Sequence, residues 1–228
     1  MAFIENPEEL HQKELFRPKN TIPQDQLLEA KLYSDRLTFI DVLPKNISFL
    51  EVGTLGGDFA IEVIKRTQPS KTILVDPFGT TDDFSRQYGG ARWDKEEDHY
   101  FFVKNRFKDM PNVKIYEGTY ESFCLENKSD TFDFIYIDYE HSIRATDQAI
   151  GLSMQRLNPG GIIGFNDYCQ FANPNTFSDK ELKRYGVVDS INYFLRNHKD
   201  WYVYAFAFNE ELASDIYLKR REGFFKSN

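Results

Sequence analysis

Short apolar segments alternate along the chain with longer segments in which apolar residues recur every three or four positions. A strand followed by a helix, repeated, is typical of a mainly parallel sheet with helices on both faces. The apolar segments predict seven strands, at residues 47–51, 71–75, 113–116, 132–137, 161–165, 202–208 and 215–219. The longer segments predict four helices, at residues 58–67, 94–108, 143–157 and 187–197.

The last two predicted strands are joined only by the segment FNEELAS. This connection is too short for a crossover between parallel strands, which takes about a dozen residues or more. We therefore expect these two strands to form an antiparallel hairpin. The chain then reads as an α/β protein whose sheet is parallel except at its final strand.

Two segments depart from the alternation. Residues 1–46 have a helical pattern and precede the first strand, and residues 77–93 form a long connection after the second strand. Long connections in compact domains are often lids or binding loops, and a plain surface excursion is the alternative. We expect an N-terminal helical lid at 1–46 and one domain at 47–228 with an insertion at about 77–93. Tyr88 and Trp93 are the aromatic candidates there for a substrate pocket.

Composition narrows the classes of function. The chain has 228 residues, enough for one domain with a sizeable core, and a formal net charge of -8. An acidic protein is a poor partner for duplex nucleic acid, and no apolar stretch approaches the roughly 20 residues that span a bilayer. The acidic N-terminus does not have the pattern of a signal peptide, so we expect a cytoplasmic protein. The two cysteines, Cys124 and Cys169, predict neither a disulfide framework nor a zinc site.

The stretch FLEVGTLGGDFA contains the first candidate site. Glu51 lies at the end of a strand, and Gly53 and Gly57 allow a tight turn into a helix whose N-terminus attracts polar ligands. Leu55 stands where the dinucleotide fingerprint GxGxxG has its second glycine, and a carboxylate would repel a pyrophosphate, so NAD is not expected. Asp76 ends the next strand, where a carboxylate can accept both hydroxyls of a ribose. A tight strand-to-helix connection without a ligand is the alternative interpretation of the turn.

These motifs resemble those of the class I S-adenosylmethionine-dependent methyltransferases, which carry ExGxxxG after the first strand and an acid after the second. The likeness continues through FDFIYIDYEHS and LNPGGIIGFNDY and covers about residues 47–220. The combination of IDxxHS with PGGxIxFxDY is most similar to the small-molecule O-methyltransferase branch that includes macrolide-sugar methyltransferases and cephalosporin hydroxylase-like proteins. The resemblance implies a Rossmann-like, doubly wound sheet of seven strands with the last strand antiparallel.

The resemblance also implies which residues hold S-adenosylmethionine. Asp76 would hold the ribose. Where many relatives have GD after the third strand, this chain has Gly118 followed by Thr119, so Thr119 and Glu121 are only candidates for the adenine contact. The full set of residues expected to bind the cofactor is Glu51, Gly53, Thr54, Gly57, Asp76, Thr119 and Asp138.

A second group of polar residues ends the fourth and fifth predicted strands. Asp138, Asn166 and Asp167 offer oxygen atoms at neighbouring strand ends, which suits a hard ion such as Mg²⁺, and the resembled family often places a divalent metal there. His141 is the best candidate for a general base, with Asp138 as its partner in catalysis. Helix and turn capping is the alternative for the two aspartates, and a surface position is the alternative for His141.

The expected function is methyl transfer to a hydroxyl of a small polar acceptor, such as a sugar or a diol metabolite, with Mg²⁺ as an optional aid. An oxygenase similar to cephalosporin hydroxylase and a regulatory module that binds the cofactor without chemistry are the alternatives. The expected partners are the small acceptor and, as an open option, further copies of the chain; nucleic acid and membrane are not expected.

Overall fold

A computed structural model describes residues 21–79, 99–170, 185–208 and 214–221. Its sheet has eight strands, and the order across it is β1-β7-β8-β6-β5-β2-β3-β4. The strands are β1 (Lys31–Tyr33), β2 (Ser48–Val52), β3 (Lys71–Asp76), β4 (Val113–Glu117), β5 (Phe132–Ile137), β6 (Leu157–Phe165), β7 (Trp201–Phe208) and β8 (Ser214–Arg220).

The pairing confirms the predicted fold class. Strand β8 runs antiparallel to both β6 and β7, and the pairs on either side of β2 and β5 are parallel. Chain order reverses between β2 and β5, so the carboxyl ends of these two strands flank the switch point at which α/β sheets bind ligands.

The sheet has one strand more than the seven predicted. Strand β1 lies within the segment that we expected to be helical and pairs in parallel with β7 at the edge of the sheet. It has only three residues, too few for a period-2 pattern to be recognised. Strand β6 also begins four residues earlier than predicted. It starts at Leu157, the last residue of the predicted helix, and includes the segment LNPGG.

Six α-helices are described, together with a 3₁₀ helix at Gln24–Gln26. They are α1 (Arg36–Ile40), α2 (Asp58–Thr67), α3 (His99–Arg106), α4 (Tyr120–Glu126), α5 (Ile143–Met154) and α6 (Val187–Asn197). Side chains at N-cap positions explain where several begin: Asp35, Thr119 and Ser142 each accept a backbone N–H three residues later. Helix α4 is absent from the sequence prediction because its seven residues span only two turns.

Each face of the sheet packs against three of the six described helices. Helices α1, α2 and α3 cover the face that carries Phe49, Phe134 and Tyr136. Helices α4, α5 and α6 cover the face that carries Leu50 and Ile135. Strand β2 is buried along its whole length, as expected for the centre of a parallel sheet.

Within the described ranges, no helix combines the length and the apolar character that crossing a membrane takes. The predicted lid at 1–46 falls partly on described residues, at 21–46, and its first 20 residues lie outside them. Most of the predicted insertion, including Tyr88 and Trp93, also lies outside the described residues.

Candidate active site

The predicted site residues lie at the carboxyl ends of four adjacent strands. Glu51 belongs to β2, Asp76 ends β3, Asp138 follows β5, and Asn166 follows β6. Backbone hydrogen bonds continue the sheet just beyond the strands: the amide of Asp138 donates to Val52 at 2.8 Å, and that of Asn166 donates to Ile137 at 2.9 Å. The sheet itself therefore brings the two predicted groups of residues together.

The glycine turn needs its glycines because of neighbouring protein atoms. Gly53 has φ +88°, and a Cβ on it would lie 1.8 Å from the carbonyl oxygen of Asp138. Gly57 has φ +79°, is the N-cap of α2, and would place a Cβ 2.6 Å from the ring of Phe107. Both positions combine a left-handed backbone with a close approach, so only glycine fits. Leu55 also has a positive φ, of 50°.

Three side chains, Asp76, His99 and Arg106, hold the turn. The carboxylate of Asp76 accepts the amides of Leu55 at 2.9 Å and Phe78 at 2.7 Å. From α3, Nε2 of His99 lies 2.7 Å from the carbonyl oxygen of Leu55, and Arg106 donates to Gly56 at 2.6 Å. His99 and Arg106 belong to no sequence motif. The predicted helix after the insertion was the available signal that residues of this segment could pack against the glycine turn.

Glu51 is a buried carboxylate that leaves an acceptor unused. Glu51 is 2% exposed, and its Oε2 atom has no hydrogen-bond partner among the described residues. The buried hydroxyl of Thr54 lies near this carboxylate and acts to lower its pKa, although no hydrogen bond of good geometry joins the two groups. Burial raises the pKa of Glu51 well above its usual value, and the nearby carboxylates of Asp138 and Asp76 act in the same direction. A cationic ligand with N–H donors would satisfy this carboxylate and favour its charged form.

Thr119 has a local role in the structure. It is exposed, and its hydroxyl accepts the amide of Ser122 at 3.2 Å as the N-cap of α4. Glu121 accepts a hydrogen bond from Gln148. The adenine contact predicted for Thr119 stays a prediction.

His141 lies between two carboxylates. Its Nε2 atom is 3.7 Å from Oδ1 of Asp138 and 3.6 Å from Oδ2 of Asp167, and its ring stacks on Tyr185 with centroids 4.4 Å apart. Nε2 has no hydrogen-bond partner within the described part of the chain. Nε2 thus lies beside both carboxylates, just beyond hydrogen-bonding distance of each. The structure therefore brings together the two catalytic residues predicted from the sequence.

Asp138 has two competing influences on its charge. Desolvation raises its pKa, although its side chain is 31% exposed, because protein groups surround the carboxylate on its inner side. His141 and Arg36 act to lower that pKa, and so does Asn166, whose Nδ2 donates to Oδ1 of Asp138 at 2.9 Å. Asp167 lies in a left-handed conformation with φ +52°.

The three-ligand magnesium site does not fit these contacts. Oδ1 of Asn166, the only oxygen that this side chain could offer to a metal, accepts from Nη2 of Arg36 at 2.8 Å. The role of Asn166 as a metal ligand stays a prediction that this contact does not support, and Asp138 and Asp167 are the carboxylates beside it. Over residues 21–79, 99–170, 185–208 and 214–221, no group of three or more His, Cys, Asp or Glu side chains is arranged to hold a metal ion.

Arg36 and Asp215 are site residues that sequence reasoning missed. Asp215, on β8, is fully buried, and its Oδ1 lies 3.3 Å from Nη2 of Arg36. Its Oδ2 accepts the hydroxyls of Tyr136 at 2.8 Å and Tyr217 at 3.0 Å. Burial raises the pKa of Asp215 to about 6, against the stabilising effect of these neighbours. An aspartate inside the apolar strand SDIYLKR was the available signal, since buried acids are rare unless they are paired.

Comparison with known proteins places the chain in a family. Residues 50–168, more than half of the chain, match the sequence model of a family described as a methyltransferase domain. No curated protein matches the sequence significantly.

Three solved structures illustrate the similarity of the fold. The O-methyltransferase TomG from Streptomyces achromogenes, involved in tomaymycin synthesis and solved with S-adenosylmethionine, is 13% identical with a TM-score of 0.56, over 96% of this chain and 92% of that one. An O-methyltransferase from Bacillus cereus, solved with S-adenosylhomocysteine, is 15% identical with a TM-score of 0.54, over 94% and 90%. Aeropyrum pernix fibrillarin, solved with S-adenosylmethionine, is 12% identical with a TM-score of 0.55, over 81% and 73%.

At these identities the structural likeness concerns the fold, and the match to the family model concerns the sequence. The structural likeness agrees with the observed α/β fold. The chain therefore belongs to the methyltransferase domain family, and its resemblance to the class I S-adenosylmethionine-dependent methyltransferases is confirmed.

Proposed function

We propose that the protein transfers the methyl group of S-adenosylmethionine to a hydroxyl of a small polar acceptor such as a sugar or a diol metabolite. The observation that carries this proposal is the juxtaposition of two complementary features. Glu51 offers an unused buried carboxylate beside the glycine turn, and His141 offers an unpartnered ring nitrogen at the neighbouring strand ends. Two similar structures are O-methyltransferases solved with this cofactor or its product, which supports the choice of oxygen as the acceptor atom.

The turn and the ends of β2 and β3 would hold the cofactor. Glu51 would accept from the ammonium group of the methionine part through its unpaired oxygen. Asp76 uses each oxygen once for a backbone amide, and a carboxylate has about four acceptor sites, so it can still accept from ribose hydroxyls. Gly53, Thr54 and Gly57 would line the ligand.

His141 would deprotonate the acceptor. S-adenosylmethionine, when bound, supplies a methyl group on a positively charged sulfur. Nε2 of His141 would take the proton that the acceptor hydroxyl loses when its oxygen gains the methyl group, and the sulfur of the cofactor would keep the electron pair of the C–S bond. Asp138 and Asp167, within 3.7 Å of Nε2, stabilise the resulting imidazolium.

Calorimetry with the purified protein tests the cofactor. We expect S-adenosylmethionine and S-adenosylhomocysteine to bind and NAD not to bind, because a carboxylate faces the turn. NAD binding of equal or greater strength would overturn the proposal.

Turnover on a panel of sugars and diols, followed by the formation of S-adenosylhomocysteine, tests the reaction. A methylated oxygen in the product supports the proposal. Consumption of oxygen and a 2-oxo acid would support the oxygenase alternative instead, and tight cofactor binding without turnover on the whole panel would support a regulatory module.

Three finer predictions from the sequence concern magnesium, cellular location and oligomeric state. Magnesium is not included in the proposed mechanism, because Asn166 gives its oxygen to Arg36. A cytoplasmic location and assembly into homo-oligomers stay predictions, and size-exclusion chromatography with light scattering tests the second.

A further inference from the structure

Arg36 lies outside the part of the chain that matches the family, yet it reaches the centre of the candidate site. It is the first residue of α1, and the family match begins at residue 50. Its Nη2 atom donates to Asn166 at 2.8 Å and lies 3.3 Å from Asp215. Its side chain is 27% exposed, and the guanidinium carbon lies 5.7 Å from the ring centroid of Phe59.

The surroundings hold this guanidinium in one place. Asp215 is fixed by the hydroxyls of Tyr136 and Tyr217, and the ring of Tyr136 stacks on Phe59 with centroids 4.0 Å apart. A planar guanidinium can donate to two oxygens and pack on an aromatic ring at once, whereas a lysine ammonium is a single point charge.

Arg36 decides which way the amide of Asn166 points. Arginine has only donors, so Asn166 must present its oxygen to Arg36 and its NH₂ group to Asp138, as the distances of 2.8 and 2.9 Å indicate. The opposite orientation would place N–H groups against N–H groups and an oxygen against a carboxylate. Asp138 in turn lies beside Nε2 of His141.

The same contact removes an oxygen ligand from any metal ion. A divalent ion bound to Oδ1 of Asn166 would share that atom with a guanidinium only 2.8 Å away, and the two positive charges would repel each other. Three carboxylates, Asp138, Asp167 and Asp215, lie at the site, and Arg36 contacts Asp215 directly and Asp138 through Asn166.

We propose that the Arg36 guanidinium is the resident cation of this site, orienting Asn166 toward Asp138, so that methyl transfer proceeds without a divalent ion. Arg36 is a positioning residue for Asp138 and His141. Only the expected effect on methyl transfer rests on the proposed function. Whether a guanidinium or a metal ion occupies the site can be tested without enzymatic turnover.

The first test is Mn²⁺ binding followed by electron paramagnetic resonance, with S-adenosylhomocysteine present and absent. The wild-type protein should show no stoichiometric Mn²⁺ site at millimolar concentrations. The double variant Arg36→Met with Asn166→Asp, which removes the guanidinium and adds a carboxylate, should gain one. A single tight Mn²⁺ site in the wild-type protein would overturn the inference, and this arm needs no variant to fold.

The second test uses any acceptor that the panel identifies. Excess chelator should leave turnover unchanged. Arg36→Met should lower kcat about 10-fold or more, since misplacing a catalytic group by about 1 Å can cost a factor of 100, while the Kd for S-adenosylhomocysteine and the acceptor KM stay within about twofold. Arg36→Lys should recover only part of the loss.

Arg220→Met is the matched control. Arg220 and Asp215 lie at opposite ends of β8, and Arg220 forms an ion pair of its own with Asp200, at 2.8 Å. This variant should keep the wild-type kcat. Loss of turnover in chelator, or an unchanged kcat in Arg36→Met, would contradict the inference. Failure to bind the cofactor at all would instead contradict the proposed function and leave the Mn²⁺ result to stand alone.

Discussion

The two halves of the candidate site differ in whether their buried carboxylate is paired with other protein groups. On the cofactor side, Glu51 is almost fully buried and its Oε2 atom has no hydrogen-bond partner among the described residues. On the acceptor side, Asp215 is just as buried but is paired with Arg36 and two tyrosine hydroxyls. Burial raises the pKa of both carboxyl groups.

The difference indicates where a ligand is expected to bring charge. An unpaired buried carboxylate is costly, so it is expected mainly where a ligand supplies the missing partner. A carboxylate paired within the protein is already satisfied and serves to hold other groups. We therefore expect a cationic ligand beside Glu51, whereas Asp215 already has a cation, Arg36, as its neighbour.

Gly53 is the point at which the two halves touch, and replacing it should have the largest effect. Gly53→Ala places a Cβ against the carbonyl of Asp138 in addition to straining a positive φ. We expect a loss of more than about 3 kcal/mol of unfolding free energy, measured by urea denaturation. The control is Gly160→Ala, which has φ +76° and open space around it and should lose only about 1–2 kcal/mol. Equal losses would mean that the contact between the halves is loose.

His141→Ala should lower kcat by about 100-fold or more, because it removes the group that takes the hydroxyl proton. Cofactor affinity, measured by calorimetry, should be unchanged, since the cofactor is assigned to the other half. His198→Gln serves as the control, because Nδ1 of His198 contacts the carbonyl oxygen of Phe194, at the end of α6 and away from the candidate site. A parallel loss of cofactor affinity in His141→Ala would contradict the division into halves.

Glu51→Gln should weaken S-adenosylmethionine binding by about 10- to 100-fold, the value of a hydrogen bond between charged groups. It should also raise the melting temperature of the cofactor-free protein at neutral pH. A raised carboxyl pKa in the folded state means that stability falls as pH rises from the unfolded value, about 4.3, toward the folded one, and glutamine removes this loss.

Melting curves between pH 4 and pH 8 check the sign of that effect. The gap between Glu51→Gln and the wild-type protein should widen with increasing pH. Glu117→Gln, an exposed acid at the end of β4, should show no such gap. A variant that is less stable than the wild type at pH 8 would contradict the idea of an unpaired carboxylate.

The smallest predicted effect concerns His99, which supports the glycine turn from α3. His99→Phe keeps the packing on Phe78 but removes the contact to the carbonyl of Leu55, and should weaken cofactor binding by about 2- to 10-fold. His99→Gln can still donate and should bind more tightly than His99→Phe. Calorimetry on both variants distinguishes support of the turn from packing alone.

Sequence reasoning worked best where function is encoded locally. The turn from Glu51 to Gly57 and the acid Asp76 could be found because strand, turn and helix follow one another within a few residues. The same reasoning placed Asp138, His141 and Asp167 together, since parallel strands put their carboxyl ends side by side. It gave the wrong number of strands because β1 has three residues and depends on β7, far along the chain, for its hydrogen bonds.

What the chain by itself determined is the alternation of strands and helices, the antiparallel last strand and the cofactor turn, all of which follow from periodicity and adjacent residues. Only the tertiary structure decided how charge is distributed at the site. Arg36, Asn166 and Asp215 are separated by up to 179 positions in the sequence, and no periodic pattern links them. Because an amide can turn either of its ends toward a neighbour, whether Asn166 offers an oxygen to a metal or to Arg36 depends on which side chains the folded sheet brings within hydrogen-bonding distance.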